Sequence, residues 1–343
     1  MKIDESLPLD RQAMKLDVPT YLHRVDIAHD MTLAVTMAGE GPLVVLVHGF
    51  PESWFSWRHQ FRPLVEAGYR VAALHVRGYG NSSRPDAPQA YAITEHAKDI
   101  AAVIRSLSPE GAVVIGHDWG SMQVQAAALM FPDLLRGMVT LSVPSTFPPE
   151  RRPTEIWADI YKDTLFYQAY FQTPGVAEAE FEPDIERFLR LFFLSLSAEG
   201  DRHNNALLRP FGSRTLLDGL PERDSLPEWL SQEELDFYVA EFAANGLRGP
   251  LKRYRNPDLD WERLRPYSDR TIDMPALFIG GALDPTRWFV PGIDRYADPV
   301  PRLSDLRGIH ILENAGHWVQ QESPSQVNRL LLQFLQTVSP KDG

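Results

Sequence analysis

A carboxylate stands at the centre of Gly116-His117-Asp118-Trp119-Gly120. The pentapeptide follows the apolar run Ala112–Ile115 and precedes Ser121–Met130, so it reads as a turn from a buried strand into a helix. Glycine on both sides lets such a turn lift its central side chain above the sheet edge, the arrangement of a nucleophile elbow. The central residue here is Asp, and no G-x-S-x-G occurs elsewhere in the chain. A carboxylate that attacks saturated carbon forms an alkyl ester with the protein, which a second step must hydrolyse with activated water. That step needs a base and a group to orient it. His317, in Gly316-His317-Trp318, follows the run Ile309–Leu312; Asp284, in Gly281-Ala-Leu-Asp284-Pro, follows Ala276–Ile279. The chain order is nucleophile, acid, histidine, with acid and histidine each just past a strand's carboxyl end. A third element, His48-Gly49-Phe50-Pro51, comes directly after Leu43–Val47. The backbone N–H groups of Phe50 and Trp119 are expected to form an oxyanion hole for the charge that develops on Asp118 when water attacks the ester. The other nine of the 10 histidines show no metal-ligand spacing such as HExxH, and neither metal nor cofactor is expected.

The elements that must hold these residues are short apolar runs alternating with amphipathic stretches. Leu43–Val47, Arg70–Val76, Ala112–Ile115 and Met138–Val143 read as strands buried on both faces, which points to an α/β fold with a mostly parallel central sheet and helices on both faces. From about Phe147 to Glu262 the strand signal disappears. Glu182–Leu196, with Pro183 in a first-turn position, and a second helix opened by the capping box Ser231–Glu234 and closed by Gly246, read as an aromatic helical insertion. Gly200 to Glu228 between them reads as a long loop, often a functional lid. Strands return at Ala276–Ile279 and Ile309–Leu312, and a last helix follows Ser323. The expected organisation is a core formed by residues 1–146 and 263–343, interrupted by a helical cap of residues 147–262.

The 343 residues are 44% apolar and 23% charged, which excludes global disorder. With 34 Lys and Arg against 46 Asp and Glu, the net charge is −12, and no basic cluster suits a nucleic acid. The chain has no cysteine, so disulfides and thiolate chemistry are excluded. The N-terminal stretch Met1–Pro19 lacks a secretory pattern, and no apolar run is long enough to span a membrane. A cytoplasmic protein without a membrane partner is expected; its oligomeric state is not legible.

The chain resembles the soluble epoxide hydrolases of the α/β-hydrolase superfamily from about Val25 to Thr337. The resemblance rests on HGFPESWFSWR at His48–Arg58, RGYGNS at Arg77–Ser82, GHDWGS at Gly116–Ser121 and AGHWVQQESP at Ala315–Pro324. In the insertion it rests on YQAYFQTPGVAEAEFE at Tyr167–Glu182 and GPLKRYRN at Gly249–Asn256. It implies that Tyr167 and Tyr254 donate to the oxygen of a bound epoxide and then protonate it, a step a phenol of reference pKa about 10 can perform. It further implies Asp118 as nucleophile, His317 as base oriented by Asp284, an epoxide and water as the only partners, and a vicinal diol as product. Phe50, Trp119, His48, Pro51 and Trp318 are expected to line an apolar substrate wall. Two departures stand out: His75 replaces an Asp common in the family, which predicts a packing adjustment, and the acid loop GGALDPTR is unlike familiar members. No phosphatase domain or membrane anchor is expected before the core. The rival reading is a haloalkane dehalogenase, which uses the same Asp elbow and holds a halide with N–H donors. Trp119 offers one such donor, and Trp157 or Trp229 in the insertion would have to offer another. A catalytically silent receptor or scaffold of the same fold is the alternative of another class.

Overall fold

The computed structural model describes residues 16, 18–28, 30–144, 149–298 and 302–338. The stretch Met1–Pro19 is therefore mostly outside the described residues, as is the expected boundary at residues 146–147. Eight strands form one sheet: β1 (Tyr21–Ala28), β2 (Met31–Ala38), β3 (Leu43–Val47), β4 (Arg70–Leu74), β5 (Ala112–His117), β6 (Leu135–Leu141), β9 (Ala276–Gly281) and β10 (Leu306–Leu312). Between β6 and β9 the chain forms a separate two-stranded sheet of β7 (Thr164–Phe166) and β8 (Leu208–Pro210). The order across the large sheet is β1-β2-β4-β3-β5-β6-β9-β10. From β4 to β10 all neighbours are parallel, as buried runs such as LVVLV demand.

Two features differ from the sequence reading. A hairpin, β1 antiparallel to β2, precedes the parallel strands, and β2 is antiparallel to β4. Its signal is period-two alternation: Val25, with its neighbours Arg24 and Asp26 exposed, and Leu33, Val35 and Met37 point one way along their strands. The insertion also holds β7 and β8, each three residues long and below the length at which alternation can be read.

The helices of the core are α1 (Arg58–Glu66), α2 (Ile93–Leu107), α3 (Trp119–Met130), α11 (Val319–Glu322) and α12 (Pro324–Val338). The inserted helices are α4 (Pro153–Ile160), α5 (Tyr167–Tyr170), α6 (Val176–Phe181), α7 (Ile185–Leu196), α8 (Gln232–Asn245), α9 (Arg248–Arg253) and α10 (Pro257–Leu264). α7 starts later than its pattern suggests. Asp184 is its N-cap, accepting from the Arg187 N–H at 2.9 Å, and Pro183 lies in the preceding tight turn. α8 has the expected capping box and ends at Gly246. The 200–228 stretch is pinned rather than free: the Glu180 carboxylate accepts from the N–H groups of Leu216 and Leu217. Residue 262 falls inside α10, so the helical insertion continues past it.

Strand β3 lies between β4 and β5, so successive connections leave it in opposite directions. Open α/β sheets bind ligands at such a switch point, outside the carboxyl ends of the strands. β3 ends at Val47 and β5 at His117, which brings the turn His48–Pro51 beside Asp118. The junction admits no side chain at Gly120: a Cβ there would lie 2.0 Å from the Val47 carbonyl oxygen. At Gly116 a Cβ would lie 2.3 Å from the Gly120 carbonyl oxygen. Both obstacles are backbone, which cannot rotate aside. Gly120→Ala is expected to destabilise the fold by about 3 kcal/mol or more, the upper range for overpacking, read as a lowered midpoint in urea unfolding.

Candidate active site

Asp118 sits at φ 54°, ψ −121°, a conformation L-residues rarely adopt. The strain is held by the close approach of β3, β5 and α3, and it aims the carboxylate away from the sheet. Its Oδ1 accepts the Phe50 N–H at 2.9 Å. Its Oδ2 lies 3.5 Å from His317 Nε2. On the other side of the ring, His317 Nδ1 is 3.0 Å from Asp284 Oδ2. Asp284 is fully buried and compensated: Oδ1 accepts the Thr286 N–H at 2.8 Å, and the Tyr296 hydroxyl lies 2.9 Å from Oδ2. The imidazole therefore stands between two carboxylates.

The electrostatics follow from that position. Burial pulls His317 down, but the Asp284 charge, hydrogen bonds to Asp118 and Asp284, and the Asp118 charge outweigh it and raise its pKa to about 10. At neutral pH this holds a proton on His317, whose two ring nitrogens face the side chains of Asp118 and Asp284. Asp284 is held below its ordinary value because His317 and the Thr286 contacts overcome its burial.

The two tyrosines come from the insertion. Tyr167 opens α5 and its hydroxyl accepts from Gln168 Nε2 at 2.7 Å. Tyr254 follows α9. Their ring centroids are 5.8 Å apart, and Tyr254 packs edge-on against Trp119 at 5.1 Å and Phe50 at 5.3 Å. Burial, and after it the Asp118 charge, raises the pKa of both phenols, so both stay protonated donors. Asp118, His317, Asp284, Tyr167, Tyr254 and the Phe50 amide thus converge. Trp119 is the first residue of α3, where an N–H lacks an intrahelical acceptor.

A cavity of about 240 Å³ opens beside Asp118, lined by Trp119, Met122, Trp157, Tyr167 and Leu264 among others. Several residues expected in its wall lie elsewhere. The Phe50 ring packs among Phe171, Phe188, Phe192 and Tyr254, so only its amide faces the carboxylate. Buried His48 lies 2.9 Å through Nδ1 from the Gly49 carbonyl and accepts the Val76 N–H through Nε2. Burial lowers its pKa to about 4. It is a neutral strut under the loop. Pro51 is buried behind Phe50. Trp318 is fully buried, donates its indole N–H to the Phe193 carbonyl at 2.9 Å and packs edge-on against His317. These three do not line the cavity: His48 and Trp318 are turned into the protein by their backbone partners, and Pro51 is buried. His75 likewise packs: its Nε2 meets Thr36 Oγ1 at 3.0 Å and its ring stacks on Trp54.

Other side chains matter that no linear spacing marks. His117 Nδ1 is 2.7 Å from Glu52 Oε2, and its Nε2 is 2.7 Å from the His317 carbonyl oxygen. Glu52 also accepts the Gly49 N–H, so one buried pair joins all three catalytic loops. Glu322 accepts the N–H groups of Gly316 and Trp318, on either side of His317, and that of Ala198 from the insertion. His117 and Glu52 stand inside recognised motifs, but their partners are far away in sequence. Among the described residues, no group of three metal-ligating side chains is placed to hold a metal ion.

Asp284→Asn removes the charge that raises His317 most. Its imidazole is expected to titrate about 1–3 pH units lower, measured from the ring proton shifts by NMR.

Comparison with known proteins places this geometry in context. The family model for the alpha/beta hydrolase fold matches residues 42–324. Epoxide hydrolase A of Mycobacterium tuberculosis (strain ATCC 25618 / H37Rv) is 41% identical over 305 residues, covering 88% of this chain and 94% of its own length. The crystal structure of epoxide hydrolase A from Mycobacterium thermoresistibile is 42% identical with a TM-score of 0.86, over 94% of this chain and 99% of that one. An epoxide hydrolase from an endophytic Streptomyces is 44% identical with a TM-score of 0.84, over 93% and 95%.

Proposed function

The chain belongs to the epoxide hydrolase family of the α/β-hydrolase fold, and we propose that it converts lipophilic epoxides to vicinal diols through an ester on Asp118. The observation that carries the mechanism is the placement of His317 between Asp118 and Asp284, with two protonated phenols beside the nucleophile.

Oδ1 of Asp118 is held by the Phe50 amide, so Oδ2 attacks a ring carbon. The carbon–oxygen bond breaks, and the oxygen takes a proton from Tyr167 or Tyr254. The tyrosinate recovers its proton from the His317 imidazolium. This transfer is favoured by the alkylation itself. Once Asp118 is a neutral ester, its charge and its acceptor no longer hold a proton on His317. The ring is then neutral and can act as a base. It takes a proton from water as the water attacks the ester carbonyl. The negative charge forms on Oδ1, where the Phe50 N–H and, we propose, the Trp119 N–H stabilise it. Collapse releases the diol and restores the carboxylate and imidazolium. Electrostatics thus set the order of the two steps: His317 becomes a base only after the ester exists.

The aromatic and aliphatic lining supports a lipophilic substrate. Of the two tryptophans that could complete a halide site, Trp229 packs on Phe193 and Trp318 away from the cavity while Trp157 lines it; the two phenols beside the nucleophile, which a halide leaving group does not need, favour the epoxide. Against a silent scaffold stands the complete set of nucleophile, base, acid and phenols. No described helix is long and apolar enough to cross a membrane; we take the enzyme to be cytoplasmic, with epoxide and water as its partners.

His317→Gln is expected to accumulate the ester. Intact mass after incubation with a styrene-type epoxide should rise by the whole mass of the epoxide, located on Asp118. A gain seen only with a 1-haloalkane, short by the hydrogen halide, would move the chain to the dehalogenases. Tyr167→Phe and Tyr254→Phe should each slow alkylation by about 10²-fold, and the double variant should nearly abolish it, measured by single-turnover fluorescence quenching. Wild-type alkylation by the double variant would remove both tyrosines from the mechanism.

A further inference from the structure

The two phenols beside Asp118 are not equivalent. Tyr167 lines the cavity together with Asp118 and Gln168, and its hydroxyl oxygen accepts the Gln168 Nε2–H at 2.7 Å. A phenol has one proton to give and an oxygen that can accept at the same time. A donor on that oxygen turns the proton away from itself. It also becomes more valuable as the reaction proceeds, because a hydrogen bond to an ionised acceptor is about twice as strong as one to a neutral acceptor. An interaction that strengthens as charge develops lowers the barrier, whereas one that is equally strong throughout does not. A buried tyrosinate without such a donor is costly.

The surrounding contacts leave this task to the Gln168 side chain. The Gln168 carbonyl accepts the Gln172 Nε2–H at 2.8 Å, and the same Nε2 reaches the Tyr254 carbonyl at 2.7 Å. Arg255, next to Tyr254, donates Nε to the Phe171 carbonyl at 3.0 Å and pairs with Glu178 at 2.8 Å. The two tyrosine segments are therefore stitched together by Gln172 and Arg255, not by Gln168. Tyr254 stands in a different environment, edge-on against Trp119, Phe50 and Phe171. Burial and then the Asp118 charge raise the pKa of both phenols. After these, Gln168 and the Arg295 charge act downwards on Tyr167, whereas Tyr167 and Tyr79 push Tyr254 further up.

We propose that Gln168 is a positioning residue of the ring-opening step: its carboxamide directs the Tyr167 proton at the epoxide oxygen and then holds the tyrosinate, so that Tyr167 gives the proton while Tyr254 only donates a hydrogen bond. As the ring carbon bonds to Asp118 Oδ2, the carbon–oxygen pair passes to the epoxide oxygen, which takes the Tyr167 proton. The His317 imidazolium then returns a proton to Tyr167. The proposal rests on the epoxide hydrolase reading and names the phenol that ionises.

Gln168→Met keeps the length of the side chain and removes the donor. It should slow alkylation by about 10- to 100-fold, the worth of one hydrogen bond to a charged acceptor, and leave the decay of the ester at its wild-type rate, both read by single-turnover fluorescence quenching. Gln168→Glu, which offers acceptors and a negative charge, should slow alkylation further, and serves also if the Met variant does not fold. In a Tyr167→Phe background Gln168→Met should cost nothing more; in a Tyr254→Phe background it should cost its full factor. A merely structural role would cost the same in both backgrounds, and that result would overturn the proposal. So would alkylation by the Met variant at the wild-type rate, which leaves the reaction reading intact, or faster, which would mean that the carboxamide accepts the phenol proton. A second readout needs no turnover. In fluorotyrosine-labelled protein, followed by ¹⁹F NMR and assigned with the two Tyr→Phe variants, Gln168→Met should raise the pH at which Tyr167 ionises and leave Tyr254 unmoved. If no epoxide alkylates the wild type, the reaction reading fails and this titration alone decides the Gln168 bond; a Tyr167 that ionises at the same pH with and without Gln168 overturns the bond whatever the reaction.

Discussion

One imidazole held between two carboxylates organises this protein. His317 can be charged in a buried site because Asp118 and Asp284 face its two nitrogens, and each carboxylate is in turn held by backbone N–H groups. Removing the charge of either carboxylate changes what the ring does. In the proposed mechanism, Asp118 loses its charge on becoming an ester and the ring turns from acid to base.

Keeping three loops in register requires support from behind. The Glu52–His117 pair connects the loop after β3, the elbow after β5 and the carbonyl of His317. Glu322 holds the backbone on both sides of His317 and reaches the insertion at Ala198. Glu52 and His117 are fully buried and satisfied, which is the condition under which polar networks rigidify a site rather than weaken it. Trp318 and His48, both part of the support, are equally occupied with backbone partners.

The insertion supplies what the core lacks. The core presents Asp118, His317 and the Phe50 amide, which we propose as nucleophile, base and oxyanion donor. The insertion adds Tyr167 and Tyr254 above Asp118 and closes the apolar cavity with Trp157 and Leu264. Phe50 joins the halves: its amide serves the carboxylate while its ring packs into the aromatic cluster of the insertion.

Much of this was legible in the linear chain. Buried strands such as LVVLV declare themselves by continuous apolar composition, and a strand–turn–helix junction with glycine on both sides of Asp118 has few other uses. The order of Asp118, Asp284 and His317, and the two tyrosine segments, were readable because each depends on a local turn or a recognisable string. The hairpin β1–β2 is equally local, carried by alternation in β1 alone because β2 is buried on both faces from Leu33 on, and β7 and β8 are too short to carry a pattern. The direction in which a side chain points was not legible. His48, Pro51 and Trp318 sit beside catalytic residues in sequence, but their partners are Val76, the buried interior and Phe193. Glu52 with His117 is likewise a relation between distant segments. Sequence determines local conformation through sterics and burial preference, which act over a few residues. Which groups meet, which charges find a partner and which are left facing a cavity are decided only when the sheet brings distant loops together.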